Sequence, residues 1–180
     1  MRKEIEALKD HPGILAGRDL EAGGTWMGVS RSGRFAAVTN YRGGRDASAK
    51  ESRGILVTNF LSGNSSAKAF AEKTERNKGG YSGFNLLLSD GKELWWLSNR
   101  DGGSRRLEPG IYGLGNLLLD TPEVAGPKAD FANAIAVSPS VESLFLVLQK
   151  SKIIAPDYGT RCATALITHG DGAVDRKSVV

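Results

Sequence analysis

The sequence predicts an α+β domain, and three observations predict it. Strand-like apolar runs gather in an early block (residues 25–40) and a middle block (residues 84–115), while amphipathic stretches of helical period lie between and after them. Glycine is abundant, at 23 of 180 residues, which suits a turn-rich sheet better than a helical bundle. Strands and helices segregated in this way pack as antiparallel sheet with helices laid on it. At this length a single domain is expected, long enough to bury roughly 70% of the surface its unfolded chain exposes.

The early block is the stretch around which the rest is organised. Residues 25–30, TWMGVS, and residues 35–40, FAAVTN, form the arms of a hairpin across Arg31-Ser32-Gly33-Arg34, with Gly33 free to take the positive φ of a tight turn. Ahead of it, Gly23-Gly24 lets the backbone turn sharply or approach another segment closely. Residues 2–9 read as a short helix with Ile5 and Leu8 on one face, stopped by His11-Pro12-Gly13. After a polar loop, residues 54–61 (GILVTNFL) fit either a buried strand or a short helix. Ser65 or Ser66 is placed to cap a helix over AKAFAEKTERNK, whose inner face is Ala67, Phe70, Ala71 and Thr74, with Gly79-Gly80 as its stop signal.

In the middle block, residues 84–90 and 92–99 flank Asp90-Gly91, a favoured hairpin pair. The adjacent Trp95 and Trp96 must point to opposite faces of their strand. Short strands are expected near residues 105–107 and 111–115. Residues 128–136 and 140–150 follow as helices, the second opened by Ser138 as cap and Pro139 at its first position. Its apolar face is Leu144, Phe145, Val147 and Leu148. Residues 158–168 supply a last strand, and the tail AVDRKSVV begins one that it barely completes.

Composition narrows the function classes. A net charge of +4 without any clustered basic run argues against nucleic acid as a partner. One cysteine, Cys162, permits neither an internal disulfide nor a cysteine-based zinc site, and two histidines, His11 and His169, are too few for a histidine-rich metal centre. The first residues lack the apolar core of a secretory signal, and no stretch is long enough to span a bilayer, so a cytoplasmic protein is expected. Arg18 and Asp19 suit an intramolecular salt bridge, and Cys162 a small buried strand position.

Five stretches, GILAGRDLEAGGTWMGVSRSGRFAAVTNYR, YSGFNLLLSD, LWWLSN, LEPGIYGLGNLLLDTP and DYGTRCATAL, resemble in that order the NRDE-motif family, also called the transport and Golgi organisation protein 2 family. The resemblance implies a four-layer αββα sandwich similar to that of the N-terminal-nucleophile hydrolases. It also implies a cysteine directly after the initiator methionine and an Asn-Arg-Asp-Glu segment after the second strand. This chain has Arg2 at the first of these, and its Asn99-Arg100-Asp101 run stands in the middle block, followed by Gly102. The expectation is therefore a family domain missing its first two strands, prone to self-association through an unpaired sheet edge. A hydrolase of linear amide bonds would need that nucleophile, so no catalytic residue is assigned.

By resemblance, Asn40 and Asn116 lie near the nucleophile position, where an amide N–H would face an oxyanion, although both also suit turn caps. Arg161 would sit at the same rim, as a carboxylate partner or as a plain surface charge. The ligand-binding set is then Asn40, Tyr41, Asn116 and Arg161, with no metal. The ligand expected is a small amphipathic acid of haem or acyl-CoA type; haem would be carried cargo, and no cofactor is required.

Overall fold

The computed structural model describes residues 8, 10–20, 22–43, 46–137, 139–151, 160, 163–171 and 173–179. The helix expected over residues 2–9 therefore lies outside the described residues, apart from the buried Leu8. The chain divides into two compact units, residues 1–110 with 114–119, and residues 111–113 with 120–180.

The first unit is an antiparallel sheet of six strands in simple sequence order. They are β1 (Ile14–Ala16), β2 (Met27–Ser30), β3 (Phe35–Asn40), β4 (Phe84–Ser89), β5 (Leu94–Ser98) and β6 (Ser104–Leu107). Both expected hairpins are present, with Gly33 at φ 78° and Gly91 at φ 84° in their turns. Strand β1 has little local signal of its own and forms by pairing with β2, Leu15 opposite Val29.

Strand alternation gives the sheet two unlike faces. One is covered by α1 (Gly54–Ser62) and α2 (Ala67–Arg76) and buries Ile14, Ala16, Ala36, Val38, Leu86 and Leu97 at 4% exposure or less. Residues 54–61, ambiguous in the sequence, are helical, and the helix buries Leu56, Val57, Phe60 and Leu61 in the core of this face. Gly24 makes that cover possible: a Cβ there would lie 2.3 Å from the carbonyl carbon of Gly54, where α1 begins. The Thr25 amide donates to the Gly54 carbonyl at 3.2 Å across the same approach.

At the other end of α1, Arg34 supplies what a capping residue would. Its Nε donates to the Phe60 carbonyl at 3.0 Å and its Nη2 to the Ser65 carbonyl at 2.7 Å, with the guanidinium 3.9 Å from the Phe60 ring centre. Ser66 caps α2 by accepting from the Ala69 amide at 3.2 Å. Ala67, Ala71 and Thr74 are its buried positions, as its periodicity predicts. The helix stops at Arg76 with Asn77 as its cap, earlier than the Gly79-Gly80 signal implies; those glycines lie in a 3-10 turn, Lys78–Gly80. Residues 111–115 do not form a strand. Leu114 and Leu119 make only an isolated bridge that closes a short strap.

The second unit contains α3 (Ala125–Val137), α4 (Val141–Lys150) and an antiparallel pair, β7 (Ala163–Thr168) and β8 (Val174–Val179). Strand β8 is complete: six residues pair with β7, from Thr168–Val174 to Ala163–Val179. Its charged residues hid it: Asp175 and Lys177 stand opposite Ile167 and Ala165, so β8 has no apolar alternation of its own. Helix α4 is capped by Ser140 and not by Ser138, which lies outside the described residues. Ser140 and Ser143 form a reciprocal capping box, and Pro139 precedes the cap. Leu144 and Phe145 of α4 pack with Ala165 of β7, Phe131 and Ile135.

Candidate functional site

The ends of β3 and β5 and the start of β4 share one rim of the sheet, as the pairs Asn40–Phe84 and Asn85–Ser98 require. Beyond β3 the Tyr41 amide donates to the Gly83 carbonyl at 2.9 Å, and the Arg42 amide to the Asn116 carbonyl at 2.6 Å. These two bonds bring Asn40, Tyr41 and Asn116 to one rim. Asn40 and Asn116 are both exposed there, and it is the backbone carbonyl of Asn116 that is tied down. Arg161, the fourth residue of the expected set, lies outside the described residues, as does Cys162.

Gly83 is the point where the rim gathers charge. The Arg53 guanidinium donates to its carbonyl at 3.0 Å. Arg100 rests against the same glycine: a Cβ on Gly83 would lie 3.0 Å from the Arg100 Nε and 3.0 Å from the Tyr41 Cβ. Any side chain at 83 would push one of them away. The Arg53 guanidinium also lies 5.9 Å from the ring centre of Trp26, an indole that is 36% exposed. Two guanidinium groups and Tyr41 therefore meet at one glycine, and the Trp26 indole stands beside one of the guanidiniums. Asp46 sits close by, its amide donating to Ser82 Oγ at 3.0 Å. The Ser48 hydroxyl and amide hold the Asp46 carboxyl below its usual value, with a smaller lowering from Arg100.

Sequence reasoning missed Trp26, Arg53 and Arg100 as site residues. Arg100 belongs to the run set aside because it fails as the family's Asn-Arg-Asp-Glu motif. In the structure that run builds the rim. Asn99 accepts from the Phe84 amide at 2.8 Å through Oδ1, and its Nδ2 donates to the carbonyls of Tyr81 and Ser82 at 3.2 and 3.3 Å. The turn bearing Gly83 is thereby fixed, and Arg100 follows directly. Asp101 accepts from the Gly102 amide within its own turn. A glycine between a serine and an aromatic strand start, in YSGFN, was the available signal.

Behind the rim, on the face away from α1 and α2, the polar residues continue inward. Thr39 Oγ1 donates to the Gly115 carbonyl at 2.9 Å, and Asn85 Nδ2 donates to the Leu117 carbonyl at 2.8 Å and to Thr39 Oγ1 at 3.2 Å. With the Arg42–Asn116 bond, three successive carbonyls of the strap Leu114–Leu119 are held by the sheet. Asn85 and Ser98 are fully buried there, Ser98 donating to the Phe84 carbonyl at 3.0 Å.

The remaining expected candidates separate cleanly. Arg18 does form an intramolecular ion pair, with Asp10, while Asp19 accepts from the Ala22 amide at 3.2 Å. His169 pairs with Asp175 at 2.8 Å on the exposed β7–β8 ribbon. Among the described residues no three histidine, cysteine or acidic side chains gather as a metal site. No helix among them is long and apolar enough to cross a membrane. In the second unit, α3 and α4 leave an open groove of about 360 Å³ lined by Ala134, Val137, Leu146 and Val147, with the Asp130–Lys150 pair at its side.

Comparison with known proteins adds the relationship. The family model described as Transport and Golgi organisation 2 matches residues 2–157. A Transport and Golgi organization protein 2 homolog from Bos taurus is 30% identical over 207 residues, covering 89% of this chain and 74% of the relative. The Homo sapiens homolog is 31% identical over 205 residues with the same coverage. A Mus musculus Transport and Golgi organization 2 homolog is 35% identical over 147 residues, 76% of this chain and 53% of the relative.

Proposed function

From the premise that this chain belongs to the Transport and Golgi organisation 2 family, we propose that it binds and hands on small amphipathic acids, of haem or acyl-lipid type. On the same premise its six-stranded sheet is read as an inner layer of a four-layer αββα sandwich. The observation that carries the functional reading is the meeting of Arg53 and Arg100 at Gly83, beside Trp26 and Tyr41. A carboxylate or phosphate is the group that two guanidiniums recognise best, because planar N–H donors match its paired oxygens and charge assists each bond. A flat or apolar body next to that acid would gain contact area on the half-exposed Trp26 indole. Asn40 and Asn116, both at the rim and both exposed, add neutral donors for the same oxygens.

The test is a haem titration followed by the Soret band, with a long-chain acyl-CoA as competitor. Saturation near one equivalent and displacement by the acyl compound are expected. Arg100→Ala should weaken binding by roughly 10- to 100-fold, the loss of one charge-assisted contact of about 1.5–3 kcal/mol. Arg53→Ala should act similarly. A titration that never saturates, in a chain whose circular dichroism shows it folded, would overturn the reading. So would full affinity in the Arg53→Ala/Arg100→Ala double variant.

A further inference from the structure

Two buried polar atoms on the strap-covered face have no use in the rim. Asn85 is 0% exposed and Trp96 1% exposed, and neither Asn85 Oδ1 nor Trp96 Nε1 makes a hydrogen bond. Almost all such groups in folded proteins are paired, so each unpaired one calls for a partner. The orientation of the Asn85 amide is fixed by its surroundings. Its Nδ2 must face the Leu117 carbonyl, which can only accept, and that leaves the oxygen as the free acceptor. Trp96 Nε1 can only donate.

The two residues are neighbours. Asn85 pairs with Ser98 and Leu87 with Trp96, so Asn85 and Trp96 are diagonal on one face of β4 and β5. Diagonal positions stand about 7–8 Å apart, a spacing at which two long side chains can reach one small group from either side. Leu87, Leu94, Leu107, Leu114 and Leu118 make an apolar lining around Trp96, and the Arg105 guanidinium lies 4.7 Å from the Trp96 ring centre; Asn85 stands at the polar end, beside Thr39 and Ser98.

We propose that Asn85 and Trp96 form a subsite for an uncharged amide on an apolar chain, its N–H donating to Asn85 Oδ1 and its carbonyl accepting from Trp96 Nε1. One free acceptor and one free donor call for a group with both functions, and an apolar lining excludes a charged one, whose desolvation it would not repay. Entry is by the strap Leu114–Leu119. The strap is held to the sheet by three hydrogen bonds to successive carbonyls, from Thr39, Arg42 and Asn85, and by Leu114, Leu118 and Leu119 packed at Trp96, with no continuous strand ladder. The subsite does not depend on the acid-binding rim.

The experiment is a ¹H–¹⁵N titration of the full chain with hexanamide, following the three tryptophan indole N–H peaks. Trp96→Phe identifies the Trp96 peak by its disappearance. Hexanamide should shift that peak saturably, while hexanoate and hexylamine at equal concentration leave it in place. Asn85→Leu should weaken the response at least tenfold, and Arg100→Ala should leave it unchanged even if acid binding is lost. In Trp96→Phe, where the indole is gone, the Asn85 side-chain NH₂ peaks should lose their response to the probe. An unmoved Trp96 peak up to the solubility limit of hexanamide would overturn the proposal. The same holds for an equal response to all three probes, or for a Trp96 indole that shows only contacts to bound water.

Discussion

The six-stranded sheet can be compared with itself, one face against the other. The face under α1 and α2 takes apolar side chains from the interiors of β3, β4 and β5, with Val38, Leu86, Leu88 and Leu97 all at 4% exposure or less. The face under the strap buries Trp96 and half-buries Leu87, yet interleaves Thr39, Asn85 and Ser98 with them. Adjacent residues of the same strands thus serve opposite ends. Close packing on one face holds the scaffold, and the other carries polar groups that packing alone would have excluded. Even the tandem tryptophans follow the division. Trp95 Nε1 donates to Glu93 Oε2 at 2.9 Å, whereas Trp96 Nε1 is buried without a partner.

If that division is right, the largest losses of stability come from the helix-covered face. Leu86→Ala should cost ~2–5 kcal/mol, because Leu86 is fully buried in the core cluster under the helices and its loss leaves a cavity. Urea unfolding followed by circular dichroism reads this directly. Gly24→Ala should follow at about 2–3 kcal/mol, since the added methyl meets the Gly54 backbone at 2.3 Å and α1 must move. Gly23→Ala is the matched control: nothing lies within 4 Å, so its cost comes only from the φ of 81° and should be about 1 kcal/mol.

Asp90 fastens the helix layer to the sheet, and its loss should be smaller. Its carboxylate accepts from the amides of Ala67, Lys92 and Glu93 at 2.9–3.1 Å, joining the first turn of α2 to the β4–β5 turn. Burial pushes this carboxyl up, but the backbone donors outweigh burial and hold it below the ordinary 3.8. A lowered folded value stabilises the protein above the unfolded value, and the gain is lost as pH falls through the folded one. Asp90→Ala should therefore cost about 1–2 kcal/mol at neutral pH. The gap to the wild type should be constant between about pH 5 and 7 and close below about pH 4. A gap that persists undiminished at pH 2 would show that Asp90 acts by packing and not by charge.

The sequence made the first face legible and the second hardly at all, for a physical reason. Periodicity reports which residues are apolar, and the inner faces of β3, β4 and α2 are apolar by strict alternation or helical spacing. Gly23-Gly24 was readable too, as a turn followed by a close approach, because only glycine serves both. The rim was readable only in part. Asn40, Tyr41 and Asn116 came from motif order, while Arg53 and Arg100 are ordinary surface charges until the fold brings both to Gly83. Helix α1 was ambiguous because a short run with no polar face has no period. Asn85 looked like one more polar residue in FNLLLS. Nothing local says that both its neighbours across the sheet, Thr39 and Ser98, are polar as well.

The smallest effect gives the sharpest test of the comparison, because it sets two neighbouring residues of one type against each other. Trp95→Phe removes an indole whose N–H is satisfied by Glu93, so it loses packing and a hydrogen bond together, about 1–2 kcal/mol. Trp96→Phe also loses packing, but it removes a buried donor that has no partner, and relief of that desolvation offsets the loss. The expected change is under ~1 kcal/mol in either direction, although Trp96 is the more deeply buried of the two. Burial alone would rank them the other way. Equal or greater destabilisation by Trp96→Phe would mean that its N–H is already satisfied in solution, and that the strap-covered face is a finished core like the other.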